Sequence, residues 1–300
     1  MIKLAITGDV MLGRLVDEYI LQDQTIPSTY VWGDILPLLH NADLRFINLE
    51  CVISEKGQPW TKTPKVFHFR ARPRAIESLQ SAKIDYASLA NNHILDFGKE
   101  ALFECLELLS QAGIKFSGAG RNINEALTPA FIESKGIKFA VISLTDNEPA
   151  WEAKGDLPGV NFIAYDGYGL KEPYLSRIRQ VMQKSKKETD FVIMSAHVGP
   201  NWGKPSPDII ALAHQFIDLG ADLYWGHSNH TVQGIEIYQG KPILYSTGDF
   251  IDDYAVVEIE RNDECCIFIY AEEYLELYPI IIKDFKANLA KNDDKERIMK

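Results

Sequence analysis

Short apolar segments that alternate with helical segments constrain the fold of this chain more than any other sequence feature. The apolar segments are rich in β-branched and aromatic residues, as buried strands are. They are Ile2–Thr7, Leu44–Asn48, Ile84–Leu89, Ile137–Leu144, Phe191–Ser195, Asp222–Trp225 and Pro242–Ser246. The predicted helices are Pro73–Ala82, Lys99–Ala112, Glu172–Lys187 and Pro207–Leu219. Because strands that alternate with helices form largely parallel sheets covered by helices, we predict an α/β protein.

The pattern changes after Phe250. Tyr254–Glu260 and Cys265–Ala271 are predicted to pair as a hairpin, and Tyr278–Lys283 is predicted to be one more strand. No segment rich in Pro, Gly or Ser divides the chain. We therefore predict one domain over residues 1–283, of which 251–283 form an acidic extension of a β-hairpin and strand, and a charged tail over residues 284–300 with a helix over Lys286–Lys300.

Composition excludes several classes of protein. The chain has 300 residues, 46% of them hydrophobic, which is enough to bury a large core. Its formal charge of −11 disfavours a nucleic-acid partner. No apolar run approaches the roughly 18 residues that cross a bilayer, and the N-terminal strand is too short to be a secretory segment. The four cysteines lack the spacing of a zinc site or a disulfide framework. We therefore expect a cytoplasmic protein without a membrane partner.

Charge is unevenly distributed along the chain. Residues 252–278 contain one cation, Arg261, and nine acids, which are Asp252, Asp253, Glu258, Glu260, Asp263, Glu264, Glu272, Glu273 and Glu276. This stretch is typical of a solvated face, and its strands could also pair with a second copy of the chain. Residues 57–74 contain no acid and five cations, which are Lys62, Lys65, Arg70, Arg72 and Arg74. The basic segment is either an anion-binding surface or, around Pro73, an exposed helix start.

Polar residues follow six of the predicted strands at their carboxyl ends. They are Asp9, Glu50, the run Asn91-Asn92-His93 with Asp96, His197, the pair His227 and His230, and Asp249. Ligands bind at this edge of an α/β sheet because the loops of neighbouring strands converge there. The set offers oxygen and nitrogen but no sulfur, which suits Mn, Fe, Zn or Mg. Such ligands can surround two ions that activate water for phosphoester hydrolysis. We predict one or two divalent ions, with Mn, Fe or Zn favoured.

Other chemistries lack their motifs. The chain contains neither a G-x-S-x-G nucleophile motif nor a GxxxxGK[ST] phosphate-binding loop. Gly118-Ala119-Gly120 lacks the third glycine of a dinucleotide fingerprint and is interpreted as a turn. His40, His68 and His214 are interpreted as structural residues.

Several motifs occur in an order that resembles the CapA family. They are Gly8-Asp9-Val10-Met11-Leu12-Gly13-Arg14, Asn48-Leu49-Glu50, Phe69-Arg70-Ala71, Ser88-Leu89-Ala90-Asn91-Asn92-His93 with Asp96 and Gly98, Gly220-Ala221-Asp222 leading to Gly226-His227 and His230, and residues 240–250. The resemblance covers about residues 1–250. That family is associated with poly-γ-glutamate capsule synthesis and has a calcineurin-like metallophosphoesterase fold, which implies a four-layer αββα sandwich for this chain.

The resemblance also implies roles for individual residues. The implied metal ligands are Asp9, Glu50, Asn92, His197, His227 and His230. His93 would protonate a leaving group, and Asp96 would orient it. The residues expected to bind a small or polymeric anionic substrate are Arg14, Lys65, Arg70, Asn91 and Asp249.

Two departures from the metallophosphoesterase pattern leave alternatives open. Met11 occupies a position where these enzymes have a histidine ligand, and His197 is followed by Val198 rather than by the family's Trp. A thioether binds hard ions poorly, so one metal position is expected to be weak or absent. Three readings remain: a metal-dependent hydrolase, a protein that handles γ-glutamyl chains, and an interaction module without catalysis.

Overall fold

The computed structural model describes residues 2–271 and 274–299, so Glu272 and Glu273 of the acidic stretch lie outside the described residues. These residues form two compact units. Unit 1 comprises the residues up to Ala87, His93–Ile114 and the residues from Gly248 onwards, and unit 2 comprises Ser88–Asn92 and Lys115–Thr247. The prediction that residues 1–283 form one domain stays a prediction.

The strands and helices alternate along most of the chain. The strands are β1 (Leu4–Val10), β2 (Leu44–Leu49), β3 (Val52–Ile53), β4 (Arg70–Ala71), β5 (Tyr86–Ser88), β6 (Lys115–Ser117), β7 (Ala119–Gly120), β8 (Ala130–Ser134), β9 (Ile137–Thr145), β10 (Gly159–Val160), β11 (Tyr165–Asp166), β12 (Gly169–Leu170), β13 (Phe191–His197), β14 (Leu223–His227), β15 (Ile235–Tyr238), β16 (Lys241–Leu244), β17 (Asp249–Ile251), β18 (Glu264–Ala271), β19 (Tyr274–Lys283) and β20 (Lys286–Leu289). The α-helices are α1 (Leu36–Asn41), α2 (Ala75–Ser81), α3 (Gly98–Gln111), α4 (Ile123–Leu127), α5 (Tyr174–Glu188), α6 (Pro207–Asp218) and α7 (Asn292–Ile298). Short π or 3₁₀ segments cover Val16–Leu21, Tyr30–Ile35 and Pro149–Trp151. The predicted α/β class is confirmed.

Unit 1 is built on a mixed sheet with the strand order β20-β19-β18-β1-β2-β5. Strand β1 pairs in parallel with β2 and with the short β17, and antiparallel with β18. Every residue of β1 and β2 is buried, which explains why both segments are apolar almost throughout. Strand β1 lies in the interior of this sheet and carries Asp9 near its carboxyl end.

Unit 2 is built on a second mixed sheet with the strand order β15-β16-β14-β13-β9-β8. The four inner strands are parallel, and the two edge strands are antiparallel to their neighbours. Helices α5 and α6 pack their apolar residues, such as Met182 and Phe216, into one cluster with Val192 and Met194 of β13. Ser206 caps α6, because its Oγ accepts a hydrogen bond from the Ile209 N–H at 3.2 Å.

The segment after Phe250 differs from the sequence prediction. Residues 254–260, predicted as the first strand of a hairpin, form turns and irregular backbone. The Asn262 Oδ1 accepts a hydrogen bond from the Val257 N–H, so a local side-chain contact satisfies this backbone instead of a ladder. Strand β18, predicted as Cys265–Ala271, is confirmed, but it pairs with β19. Part of the tail predicted as helical forms β20 instead, because Ile280 and Ile282 of β19 offer it an edge to pair with. None of the described helices is both long and apolar enough to span a bilayer.

Candidate functional site

Unit 1 buries a cluster of carboxylates at the end of its central strand. Asp9 is paired in register with Asp249, the first residue of β17, and both side chains are buried. The Asn48 Nδ2 donates a hydrogen bond to the Asp9 Oδ1 at 2.8 Å. Glu50 follows β2, and one of its carboxylate oxygens lies within 4.8 Å of one from Asp249. The structure thus brings together three of the acids that the sequence singled out.

Position 249 differs from the prediction in one respect. The sequence pattern placed Asp249 beyond the strand Pro242–Ser246, but β16 ends at Leu244 and Asp249 begins β17, which pairs with β1. A strand of three residues is too short to give a periodic signal, so the sequence could not show it.

The electrostatics of this cluster favour a cation. Burial raises the pKa of Asp249 well above its ordinary value, and the negative charge of Asp9 raises it further. Like charges that share a buried site disfavour ionisation of one another. The Tyr254 hydroxyl donates a hydrogen bond to the Glu50 Oε2 at 3.3 Å. The donor chemistry of the cluster, oxygen ligands with excess negative charge, fits a divalent metal ion.

Arg14 lies in the loop that follows β1, the strand that carries Asp9. Met11 is buried, and its Sδ accepts a hydrogen bond from the Gly13 N–H at 3.1 Å, so this side chain packs within the loop. Arg14 has a positive φ of 51°, an uncommon conformation for a residue with a side chain. Its Nε lies 3.3 Å from the Asp253 Oδ2, and one third of its side chain is exposed. The guanidinium carbon also lies 5.5 Å from the centre of the Phe69 ring.

His93 and Asp96 form a close pair in unit 1. The His93 Nδ1 lies 2.6 Å from the Asp96 Oδ2, and both side chains are buried. The His93 ring stacks on Phe69 with 3.8 Å between ring centres. Lys65, which the sequence assigned to substrate binding, makes an ion pair with the Asp96 Oδ1 at 3.3 Å.

The basic segment is largely paired with acids. Besides Lys65, Arg72 contacts the Asp17 carboxylate at 2.7 Å, and Arg74 lies 3.6 Å from Glu77. The Arg70 guanidinium lies over the Phe97 ring at 4.1 Å. These contacts reduce the positive potential that the composition of residues 57–74 suggested.

Unit 2 brings two histidines together at the ends of adjacent parallel strands. His197 ends β13 and His227 ends β14, and the two residues are paired in register. Their Nδ1 atoms lie 2.9 Å apart, so one ring donates a hydrogen bond to the other. The His197 Nε2 lies 2.9 Å from the Asn92 Oδ1, and the His227 Nε2 lies 2.8 Å from the Ser195 Oγ. Three predicted ligands, Asn92, His197 and His227, therefore lie close to one another.

Burial keeps His227 in the form that can bind metal. It lowers the pKa of His227 to about 3, so the imidazole is neutral at physiological pH. A neutral imidazole has a lone pair that it can donate to a metal ion. Gly226 is required before it, because a Cβ there would lie 2.1 Å from the Tyr245 carbonyl oxygen.

The sequence reasoning missed the residues that fix His197. The Thr145 Oγ1 donates to the His197 carbonyl oxygen at 2.8 Å, and the Asn147 Nδ2 donates to the same oxygen at 3.3 Å. The Asp146 carboxylate accepts a hydrogen bond from the Gly199 N–H at 3.2 Å. Thr145 ends β9, and Asp146 and Asn147 follow it directly, so the rule of polar residues at strand ends could have found them.

The remaining predicted residues of unit 2 lie on its loops. His230 is half-buried, its N–H donates to the Asn201 carbonyl oxygen at 2.9 Å, and its ring lies 5.3 Å from that of Trp202. Asn91 is fully buried, and its N–H donates to the Leu89 carbonyl oxygen. Their predicted roles in metal and substrate binding stay predictions.

The fold of this chain is similar to the fold of proteins whose structures have been solved. A novel phosphatase from Mycoplasma pneumoniae has a similar fold, with a TM-score of 0.52 and 14% identity over 96% of this chain and 90% of that one. This likeness confirms the metallophosphoesterase type of fold that the sequence motifs implied.

Sequence relatives identify the family. The "Probable polyglutamine synthesis accessory protein" of Mycobacterium tuberculosis is 33% identical over 283 residues, 82% of this chain and 73% of the relative. The "Capsule biosynthesis protein CapA" of Bacillus anthracis is 29% identical over 255 residues, 84% of this chain and 60% of the relative. The family model described as "Bacterial capsule synthesis protein PGA_cap" matches residues 3–254. The chain therefore belongs to the PGA_cap family of bacterial capsule synthesis proteins.

Proposed function

We propose that this chain is a metal-dependent hydrolase that cleaves a phosphoester or another acidic substrate. The observation that carries the proposal is the clustering, in each unit, of side chains that can ligate a metal ion. In unit 1 these are the buried carboxylates of Asp9, Glu50 and Asp249, and in unit 2 they are the buried imidazoles of His197 and His227 beside the half-buried Asn92. Several carboxylates or imidazoles are costly to bury close together, and coordination of a metal ion is one of the ways in which proteins offset that cost.

A bound divalent ion would lower the pKa of a water molecule toward neutrality and so supply the nucleophile. The chain's own residues would do the rest. His93 would donate a proton to the leaving group through its Nε2, because its Nδ1 faces Asp96. Arg14 and Arg70 would bind the anionic groups of the substrate, since a guanidinium binds phosphate or carboxylate through two parallel hydrogen bonds.

Turnover of simple phosphoesters tests this proposal. Nitrophenyl phosphate and bis-nitrophenyl phosphate are incubated with the full chain in the presence of Mn, Fe or Zn. We expect Asp9→Asn and His227→Ala each to lower the rate by at least about 100-fold. Loss of a metal ligand lowers activity more than loss of a residue that only contacts a ligand. His214→Ala is the matched control, since His214 stacks on Tyr238 and contacts Glu236 away from the proposed ligands. Equal rates in all four proteins would refute the hydrolase.

A second candidate is suggested by the relatives. Their names refer to capsule biosynthesis and polyglutamine synthesis, so a γ-glutamyl chain is the alternative substrate or ligand. Calorimetry with γ-linked glutamate oligomers at two salt concentrations tests it. Heat that decreases with salt, together with absence of phosphoester turnover, would favour polyglutamate handling. Turnover of phosphoesters without heat from the oligomers would favour the hydrolase.

A further inference from the structure

We infer that Lys65 is a positioning residue, which holds Asp96 as a carboxylate so that Asp96 can orient the His93 imidazole. The inference rests on the proposed function, in which His93 donates a proton. The sequence suggested that Lys65 contacts the substrate. In this inference Lys65 instead contacts Asp96, which in turn contacts His93.

The Asp96 carboxylate contacts both the His93 ring and the Lys65 ammonium group. The Asp96 Oδ2 accepts a hydrogen bond from the Phe69 N–H at 2.6 Å and lies 2.6 Å from the His93 Nδ1. The other oxygen, Oδ1, lies 3.3 Å from the Lys65 Nζ. The side chains of Asp96, Lys65 and His93 are 0%, 6% and 7% exposed, so solvent screens these contacts only weakly. A lysine buried to this extent is poorly placed to recruit an anion from solution.

The charge of Lys65 opposes the effect of burial on Asp96. Burial is the largest influence on the pKa of Asp96 and raises it to about 7, although several contacts act in the opposite direction. The positive charge of Lys65 is the largest of these opposing influences, followed by the Phe69 N–H and, last, His68. Without the lysine, the carboxyl group would be protonated over more of the physiological pH range.

The charge of Asp96 matters because it fixes the proton on His93. A carboxylate accepts a hydrogen bond from the Nδ1–H, which leaves Nε2 as the nitrogen that exchanges a proton with substrate. A protonated carboxyl group can instead donate to Nδ1, which favours the opposite tautomer. Stacking on Phe69 holds the plane of the ring but does not select the tautomer.

Nitrogen NMR of the full chain labelled at histidine tests this inference without relying on activity. Two-bond nitrogen–proton spectra report the tautomer of His93, which is assigned by comparison with His93→Gln. The variants are Lys65→Met, Lys65→Gln and Lys65→Arg, and circular dichroism verifies that each is folded. Lys99→Met is the matched control, because Lys99 is exposed on α3. Two neutral substitutions are included so that misfolding of one leaves the other to decide.

At about pH 8, above the pKa of Asp96 in the wild type, we expect the wild type, Lys65→Arg and Lys99→Met to keep the Nδ1–H tautomer, and Lys65→Met and Lys65→Gln to shift toward the Nε2–H tautomer. Where the protein hydrolyses phosphoesters, the neutral variants should also lower kcat by about tenfold with KM unchanged. An unchanged tautomer in the neutral variants, or a rise in KM alone, would overturn the inference. Failure of the wild type to hydrolyse phosphoesters would refute the proposed function, while the tautomer would still decide the role of Lys65.

Discussion

Asp96 illustrates how a single buried residue can control the chemistry of its neighbour. Its carboxylate contacts His93, Lys65 and the backbone N–H of Phe69, and it is completely buried. An asparagine at this position has nearly the same shape but no charge. We expect Asp96→Asn to lower kcat by about 100-fold or more, because the positioned acid loses its orienting charge. Steady-state kinetics verifies this, with Glu100→Gln on the exposed start of α3 as the control; a kcat within twofold of wild type would contradict it.

The pKa of Asp96 also predicts how activity depends on pH. This pKa is raised to about 7, so the carboxylate is lost as the pH falls through that value. The negative charge is needed to stabilise a protonated His93, so activity should decline on the acid side of about pH 7. Rates measured from pH 5 to 9 should show this acid limb in the wild type and lack it in Asp96→Asn. The same limb in both proteins would assign it to another group.

Residues of the candidate site were predictable to different degrees. Asp9, His197 and His227 follow strands that are recognisable from their apolar residues, so their placement at strand ends could be predicted. The partner of Asp96 could not, because Lys65 lies in irregular backbone before β4 and only the path of that loop decides which cation reaches the carboxylate. Tyr254 was assigned to a strand, although it lies in irregular backbone and its hydroxyl contacts Glu50.

At the scale of elements, the sequence predicts strands and helices best where they are long and buried. Helix α6 was predicted from Pro207 onwards, because a proline followed by periodic apolar residues marks a helix start, and in the structure Ser206 caps it. The edge strand β15 was missed, because it is only four residues long and Glu236 interrupts its apolar residues. The short β17 was missed because pairing with β1, rather than its own sequence, makes it a strand.

Asp222 links four elements of unit 2, so we expect its contacts to contribute to the stability of this unit. It lies before β14, accepts a hydrogen bond from the Val192 N–H of β13, and makes ion pairs with Lys186 of α5 and Lys241 of β16. We expect Asp222→Asn to lower the free energy of unfolding by about 1–3 kcal/mol at pH 7, because charged hydrogen bonds are lost. Urea unfolding measures this, with Glu188→Gln at the exposed end of α5 as the comparison.

The sign of the pH dependence follows from the same contacts. The two lysines and the Val192 N–H lower the pKa of Asp222 below its usual 3.8 in the folded state. Its contribution is therefore complete above the unfolded pKa and is lost as the pH falls through the lower folded value. The difference between wild type and Asp222→Asn should disappear at acidic pH. A difference that persists at pH 2 would show that packing, rather than charge, causes it.

The whole molecule combines membership of a capsule synthesis family with a metallophosphoesterase type of fold. A fold alone does not fix a function, so the chemistry of the buried side chains must decide. Both the carboxylates of unit 1 and the imidazoles of unit 2 are suited to divalent metal, and this is the claim on which the hydrolase proposal depends.

The most direct test is the metal content of the protein. Elemental analysis is performed on chain purified without chelator or a histidine tag, and on Asp9→Asn, His227→Ala and the control His214→Ala. The metal-site proposal requires at least one equivalent of Mn, Fe or Zn per chain in the wild type and in the control, and a clear loss in the other two variants. Full retention of metal in Asp9→Asn and His227→Ala, or absence of metal from the wild type after incubation with all three ions, would contradict it.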